Sequence, residues 1–244
     1  MARDDDRPLR LVFGAVAETY HGVRPRYFAP LLDRANEALG LGPDARVLDL
    51  AAGTGRLTRE LVGRYRSVVA VEPDERMRAL LRVGTVLEGS AEAIPLRDAS
   101  VAAVFVGEAF HWFDPARAIV EIARVLRPRA GLGVISTHWW ETDPPLPETA
   151  SALLRDPYER TARQRRVQWN SAFAGSPFEP LRSERFEEQL TVDPDQLLAL
   201  YSTTSSFAAL EAAECAALFA EVRPLLAGPY RLPIKHELTW TRLA

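Results

Sequence analysis

A short apolar segment of the chain ends in a turn of small residues that contains two glycines. Residues 46–51 are strongly apolar apart from Arg46 and Asp49, and Gly53 and Gly55 follow before a segment with helical spacing. A strand that enters a glycine turn and then a helix lets a ligand approach the backbone closely. The next apolar segment ends in Glu72, where a carboxylate can accept hydrogen bonds from ribose hydroxyls. These residue types at this spacing predict a site for a nucleoside-containing cofactor.

Two cofactor classes fit this pattern, a dinucleotide and S-adenosylmethionine. The third glycine of the dinucleotide pattern is missing, since Leu57 and Thr58 stand where a pyrophosphate needs close approach to the backbone. Asp49 lies just before the turn, where its charge would repel phosphates but suit an ammonium group. Glu92, in the segment after the third apolar run, can accept a hydrogen bond from an adenine amine. All three details favour S-adenosylmethionine.

The elements that must position these residues alternate between strand and helix from about residue 45 to 137. Asp74 is a candidate N-cap for one of the helices. Short apolar strands joined by helices predict an α/β fold with a doubly wound, Rossmann-like parallel sheet. The predicted strands are 46–51, 67–72, 85–87, 101–106 and 132–136, and the predicted helices are 56–65, 75–82 and 115–127.

The flanking segments predict two helices before the sheet and a helical cap after it. The parallel alternation ends at the proline-rich stretch 143–147, and two later strand-like segments are expected to add an antiparallel edge, for seven strands in all. We expect one domain over 1–244, with N-terminal helices (1–44), a cofactor-binding core (45–140), a cap (141–205), and a C-terminal helix and edge strand (206–244). The flanking helices are predicted at 9–20, 28–39, 149–166, 196–201 and 211–226, the cap helices lie between 149 and 175, and the late strands are 185–192 and 234–242.

Composition excludes several classes of function. The 244 residues carry a net charge of −3, which gives no general attraction to nucleic acid. A single cysteine leaves no internal disulfide or cysteine-based zinc site, and no cluster has convincing metal-ligand spacing. No apolar run approaches the length of a membrane span, and the charged N-terminus lacks the apolar region of a signal peptide, so a cytoplasmic protein without membrane attachment is expected. Of the 30 basic residues all but Lys235 are arginine, which we interpret as compositional bias with Arg24 as the exception.

At these residues the chain resembles the class I S-adenosylmethionine-dependent methyltransferases. Within that class it is similar to the small-molecule group that includes the trans-aconitate methyltransferase-like proteins. One departure is Ala51, which stands where the family has its first glycine. The matching segments are 49–55 (DLAAGTG), 71–73 (VEP), 91–95 (AEAIP), 126–128 (LRP) and 131–136 in the core, with 20–27 and 109–114 beside it.

The resemblance implies a role for each matching residue. The turn contacts the cofactor through its backbone, the acid after the second strand holds the ribose, and the loop after the third strand contacts the adenine. Glu108 lies near the methionine portion, and Tyr20 and Arg24 close over the cofactor. The implied cofactor-binding residues are Tyr20, Arg24, Asp49, Ala51, Gly53, Thr54, Gly55, Glu72, Pro73, Ala91, Glu92 and Glu108.

Candidates for chemistry follow the fourth and fifth strands. His111, flanked by aromatic residues, is the candidate base for an acceptor that must lose a proton, although such a histidine can equally pack beneath the cofactor. His138, Trp139 and Trp140 could line an acceptor pocket or belong to the core under the cap. The arginines at 163, 165 and 166 could bind an acceptor carboxylate, but a solvated helix face explains them as well.

These observations predict a methyltransferase that acts on a small molecule, by O-methylation of a carboxylate or hydroxyl, in secondary metabolism. The Asp/Asn-Pro-Pro-aromatic motif of amino-methylating nucleic-acid enzymes is missing after the fourth strand, where residues 107–110 read GEAF. Two alternatives stay open. The chain could use the fold and the cofactor for another reaction or for binding alone, or it could be a nucleotide-dependent oxidoreductase.

Overall fold

The computed structural model describes residues 26–138, 146–161 and 169–244. Its strands form one seven-stranded sheet of order β3-β2-β1-β4-β5-β7-β6, with parallel pairing from β3 to β5 and an antiparallel edge pair. The strands are β1 (Arg46–Leu50), β2 (Ser67–Val71), β3 (Thr85–Leu87), β4 (Val101–Gly107), β5 (Leu126–His138), β6 (Arg182–Val192) and β7 (Tyr230–Arg242). The predicted mixed, doubly wound sheet is confirmed.

Within 45–137 a helix follows each of β1, β2 and β4, whereas β3 leads to β4 without a described helix. The described helices are α1 (Ala29–Leu39), α2 (Arg56–Val62), α3 (Glu75–Leu80), α4 (Pro115–Val125), α5 (Glu148–Thr161), α6 (Pro194–Ser202), α7 (Ser205–Ala208) and α8 (Ala212–Val222). Short 3-10 helices lie at Phe110–Trp112, Trp169–Phe173 and Arg223–Leu225. None of the helices in the described part of the chain is long and apolar enough to cross a membrane.

Helices cover both faces of the parallel strands because successive strand residues point to opposite faces. Leu48 packs in a buried cluster with Ile119 and Ile122 of α4. Its neighbour Val47 packs in a second cluster that includes Leu31 of α1 and Leu61 of α2. With both faces buried, the strands need continuous apolar sequence, which explains why the sequence reveals them clearly.

The strand register brings the ends of adjacent strands to one edge of the sheet. Leu50 is paired with Val71, and Val71 is paired with Leu87. β4 ends at Gly107, which is paired with Ile135 of β5. The loops that follow β1, β2, β3 and β4 therefore all leave the sheet at its carboxyl edge, the place where α/β sheets bind ligands.

Several strands are longer than their apolar patterns predict. β5 begins at Leu126 rather than 132, and its second to fourth residues are two exposed arginines and an exposed proline, which a search for apolar strand patterns does not recognise. α4 accordingly ends at Val125 rather than 127, consistent with the disfavoured helical conformation before Pro128. β6 and β7 begin three and four residues before their predicted starts. The helix predicted at 9–20 lies outside the described residues.

Two compact units divide the described chain. The first contains 26–137, 169–186 and 236–244, and includes the parallel strands and the helices that cover them. The second contains His138, 146–161 and 187–235, and has its own buried cluster around Leu154, Leu197 and Phe207.

The 3-10 helix Trp169–Phe173, which falls within the segment predicted to form the cap, lies in the first unit. Phe173 packs there with Phe110 and Phe178 in the core of the sheet. Three aromatic residues can bury a large apolar area together, and this burial holds the segment on the core.

Candidate functional site

The centre of the site is a buried carboxylate that joins the ends of β1 and β2. Glu72 follows β2 and is only 7% exposed. Its Oε2 accepts a hydrogen bond from Gly53 N at 2.8 Å, and its Oε1 accepts one from Asp74 N at 2.9 Å. Burial raises the pKa of Glu72, while these two amide donors act in the opposite direction. Because each carboxylate oxygen has a further acceptor position, the group can still bind ribose hydroxyls.

The two glycines of the turn serve different purposes. Gly53 has φ of +57°, and a Cβ built on it would meet no protein atom within 4 Å, so this position leaves open space beside Glu72. Gly55 has φ of +81°, and a Cβ on it would lie 2.8 Å from Cγ of Leu81. Gly55 is therefore needed for packing as well as for its backbone conformation. Of these two glycines, Gly53 is the one that borders open space.

Ala51 adopts the left-handed conformation in which the family has glycine. Its φ is +58°, a value that costs a residue with a Cβ roughly 1 kcal/mol or more. Glu108, which follows β4, has φ of +62° and donates its backbone N–H to Ile135 O at 2.9 Å. The backbone is thus strained after two adjacent strands at the same edge, the pattern expected of a functional site.

Asp49 lies beneath the turn rather than on its surface. It is 1% exposed, and its Oδ2 accepts a hydrogen bond of 2.6 Å from the Thr58 hydroxyl. Burial raises its pKa to about 7; the Thr58 hydrogen bond lowers it and the nearby charge of Glu72 raises it further. From beneath the turn, the negative charge of Asp49 favours a cationic group above the turn electrostatically, as the sequence predicts.

Thr54, which lies between the two glycines of the turn, points into the protein. It is 1% exposed, and its Oγ1 is buried without a hydrogen-bond partner among the described residues. Its carbonyl oxygen accepts a hydrogen bond of 3.1 Å from Arg59 of α2. Thr54 therefore shapes the turn from within, and any cofactor contact made by this residue falls to its backbone.

The predicted adenine loop lies against the start of α4. Ala91 is 3% exposed, and Glu92 accepts a hydrogen bond of 3.0 Å from the backbone N of Asp114, the N-cap of α4. Ile94 N donates to Glu121 of the same helix at 2.8 Å. The loop is thus held at both of these points, with Glu92 at the carboxyl edge of the sheet as predicted.

His111 lies in the 3-10 helix that follows β4, half-buried beside Trp112 at a ring distance of 4.6 Å. The preceding residue, Phe110, is fully buried and packs on Trp169 at 4.6 Å. Phe110 therefore fixes the 3-10 helix on the core, while the imidazole stays within reach of solvent. The placement is compatible with both a base and a packing residue.

Several predicted residues cannot be placed. Tyr20, Arg24, Trp139 and Trp140 lie outside the described residues, as do the arginines at 163, 165 and 166. His138 is described, half-buried at the last position of β5. Pro73 follows Glu72, and its carbonyl accepts a hydrogen bond from Arg78 at 2.7 Å.

Sequence reasoning missed Tyr27. This residue is 7% exposed, the Arg56 guanidinium lies 5.1 Å from the centre of its ring, and a Cβ on Gly107 would collide with its hydroxyl. Tyr27 therefore lies between the start of α2 and the end of β4, at the carboxyl edge of the sheet. Its signal was available, because it closes the same segment, 20–27, that carries Tyr20 and Arg24.

Comparison with known proteins decides the family. A family model described as a methyltransferase domain matches residues 48–133, the segment that contains the turn, Glu72 and the adenine loop. A methyltransferase-like protein of Schizosaccharomyces pombe is 30% identical over 192 residues, 76% of this chain and 74% of that protein. The chain belongs to the class I methyltransferases.

Other relatives match about half of the chain. An uncharacterised methyltransferase of Mycobacterium tuberculosis is 46% identical over 140 residues, 56% of this chain and 54% of that protein. The chain thus spans about half the length of this mycobacterial relative. A malonyl-[acyl-carrier protein] O-methyltransferase of Methylococcus capsulatus is 40% identical over 133 residues, 48% of this chain and 46% of that protein.

Solved structures share the fold over most of the chain. A candidate type II methyltransferase from Anaeromyxobacter dehalogenans superimposes with a TM-score of 0.62 and 25% identity, covering 90% of this chain and 96% of that one. The resemblance drawn from the sequence motifs is confirmed, and so is the sheet that it implied.

The strain at Ala51 predicts that glycine stabilises the protein there. We expect Ala51→Gly to raise the free energy of unfolding by about 0.5–1 kcal/mol, since release of the left-handed strain exceeds the entropic cost of glycine. The control is Ala52→Gly, a buried neighbour without a positive φ, which should lower it by a similar amount or more. Denaturant titration measures both, and equal losses would show that Ala51 is not strained.

The buried acid Asp49 predicts a pH-dependent stability. Because its pKa is higher in the folded than in the unfolded protein, the folded state binds this proton more tightly, so stability falls as pH rises from about 4 to about 7 and stays low above that. Asp49→Asn keeps an acceptor for Thr58 and removes the charge. We expect it to stabilise the protein by up to about 4 kcal/mol at pH 8 and by little near pH 4.

The measurement is denaturant unfolding of the wild type and Asp49→Asn at several pH values between 4.5 and 8. Asp44→Asn, at a residue whose side chain is 86% exposed, is the matched control and should change the free energy of unfolding little at every pH. A wild-type-to-variant difference that does not grow with pH would contradict the prediction.

Proposed function

We propose that the chain is an S-adenosylmethionine-dependent methyltransferase that acts on a small molecule. The observation that carries the proposal is the Glu72 carboxylate beside the open face of Gly53, a hydrogen-bond acceptor next to a backbone that a ligand can approach. Family membership supports the same cofactor class. On this proposal residues 45–140 bind the cofactor and 141–205 select the acceptor.

The residues at the sheet edge suit the parts of this cofactor. Glu72 accepts hydrogen bonds from the ribose hydroxyls, and the loop around Ala91 and Glu92 contacts the adenine. Asp49, beneath the turn, favours the cationic methionine end electrostatically, with Glu108 beside it along the edge. The bound cofactor supplies a methyl group on an electrophilic sulfonium. The chain contributes positioning, removal of water and, for some acceptors, removal of a proton.

The methylated atom on this proposal is an oxygen of a carboxylate or hydroxyl group, in a secondary metabolite. The relationship with the malonyl-[acyl-carrier protein] O-methyltransferase of Methylococcus capsulatus supports oxygen as the acceptor atom. A carboxylate is already ionised at neutral pH and needs no base, whereas a hydroxyl requires one. His111, within reach of solvent after β4, is the residue that we propose for that role, and His138, Trp139 and Trp140 are proposed to contact the acceptor.

Calorimetry with three ligands tests the proposed cofactor. We expect S-adenosylmethionine and S-adenosylhomocysteine to bind with micromolar affinity, on the order of −8 kcal/mol, and NADH not to bind, since the turn lacks the third glycine that a pyrophosphate needs. Gly53→Val, which fills the open space beside Glu72, should abolish the binding of both. Binding of NADH alone, or of none of the three, would overturn the proposal. Binding without turnover on a broad acceptor panel would favour the non-catalytic alternative.

Replacement of His111 separates a base from a packing residue. If His111 removes a proton, His111→Ala should lower the transfer rate by about 10²- to 10⁴-fold, with cofactor affinity within a factor of two. The measurement is transfer of a labelled methyl group to an acceptor found by screening metabolite extracts, together with calorimetry. Equal losses of rate and affinity would assign His111 a structural role, and no loss of rate would fit a carboxylate acceptor.

A further inference from the structure

Three arginines donate hydrogen bonds to the backbone of the three proposed cofactor-binding segments. Arg59 of α2 binds the carbonyl of Thr54 in the glycine turn at 3.1 Å. Arg78 of α3 binds the loop after β2, and Arg124 of α4 binds the loop after β3. These contacts join each segment to a neighbouring helix, so they are distinct from the contacts that the ligand itself would make.

Arg124 holds the adenine loop through several bonds. Its Nη2 donates to Ile94 O at 2.9 Å, and its Nη1 donates to Leu96 O at 2.7 Å and to Asp98 at 2.8 Å. The guanidinium also forms a bidentate pair with Glu121, both distances being 2.7 Å. Glu121 in turn accepts the N–H of Ile94 at 2.8 Å. The arginine and the glutamate together therefore satisfy three backbone groups of the loop.

The charges of this cluster match its geometry. Hydrogen bonds from Arg124 hold the pKa of Glu121 below its usual range, and the carboxylates of Glu121 and Asp98 raise the pKa of Arg124. Both partners are thus charged throughout the neutral range, and charge-assisted bonds of this kind are the stronger ones. The loop is fixed on α4 by a cluster that stays intact over that range.

Arg78 performs the corresponding task at the other end of the site. Its Nη1 donates to the carbonyls of Glu72 and Pro73 at 2.9 and 2.7 Å, and its Nη2 donates to Glu88 at 3.1 Å. The carbonyl of Glu72 belongs to the residue whose carboxylate faces the ribose site. Lysine cannot reproduce either arrangement, because it lacks the planar fork that reaches several acceptors in fixed directions.

We propose that Arg124 and Arg78 are positioning residues that separately define the adenine and ribose ends of the cofactor site. Arg124 acts through the loop 91–98, and Arg78 acts through the loop 72–74. This assignment rests on the proposed function, since it presumes that an adenosine-containing ligand binds at this edge. It also gives a local purpose to arginines that composition alone presents as bias.

The two ends can be tested separately with three ligands. S-adenosylhomocysteine is the reference ligand. S-inosylhomocysteine has a carbonyl oxygen in place of the adenine amine, from which Glu92 is proposed to accept a hydrogen bond. The 2′-deoxyadenosyl analogue lacks a ribose hydroxyl that Glu72 is proposed to bind. Calorimetry on the wild type, Arg124→Lys and Arg78→Lys gives, for each protein, the ratio of its affinity for S-adenosylhomocysteine to its affinity for each analogue. The matched control is Arg117→Lys, at an exposed position two turns earlier on α4.

We expect each variant to lose discrimination at one end only. Arg124→Lys should reduce the preference for adenine over hypoxanthine by about fivefold or more and leave the ribose preference within twofold, since loss of about one net hydrogen bond corresponds to roughly that factor. Arg78→Lys should do the reverse, and Arg117→Lys should change neither ratio. A double variant should combine the two effects, because Arg78 and Arg124 have no hydrogen-bond partner in common among the described residues.

General loss of structure predicts a different result. If either variant weakens all three ligands by one common factor, the positioning role is overturned, and unchanged ratios and affinities overturn it equally. Thermal unfolding shows whether the variants fold; if Arg124→Lys does not, Glu121→Gln removes the ion pair and keeps an acceptor for Ile94. Failure of the wild type to bind any of the ligands overturns the proposed function itself, which distinguishes it from failure of this inference alone.

Discussion

The hydrogen bond from Gly53 N to the Glu72 carboxylate joins the ends of β1 and β2 at the carboxyl edge of the sheet, where the proposed site lies. It is possible only because β1 and β2 are parallel and in register, with Leu50 beside Val71 and the ladder continued by Ala52 N donating to Val71 O at 3.0 Å. A carboxylate that is nine-tenths buried must be satisfied by donors, and the turn amide together with Asp74 N meets this requirement. The same bond therefore closes the turn and holds the acid beside the open space at Gly53.

This edge concentrates features that reduce stability. Burial raises the pKa of both Asp49 and Glu72, so each acid carries a cost when ionised at neutral pH. Ala51 and Glu108 hold left-handed backbone after adjacent strands. Features of this kind persist where the surrounding structure enforces them and where function gains from them. The gain is that a preorganised site spends less free energy on becoming ordered when its ligand binds. The arginines that bind the loops from the neighbouring helices supply part of that enforcement.

Local signals in the sequence predicted the elements best. Asp74 accepts a hydrogen bond from Met77 N as the expected N-cap. The strands β1 to β4 begin and end within one residue of their predicted bounds, whereas β5 begins six residues before its predicted start. The bounds of the edge strands were harder to predict. Over its 11 residues β6 mostly alternates exposed and half-buried positions, so its apolar pattern is weak. The packing of Trp169–Phe173 on the core could not be predicted from local patterns, because its partner Phe110 is about 60 residues away in the sequence.

The sequence by itself determined the parallel core, the glycine turn, the acid that follows β2 and the family, because each depends on short patterns that the parallel sheet requires. Only the tertiary structure decided which of those residues face the ligand space and which lie beneath it. Gly53 borders open space while Gly55 packs on Leu81, and Asp49 is enclosed with Thr58. Contacts such as that between Arg124 and Ile94, 30 residues apart, are equally invisible in the sequence. Spacing along the chain places a residue at an edge, but the direction of its side chain depends on packing against elements that the local pattern does not contain.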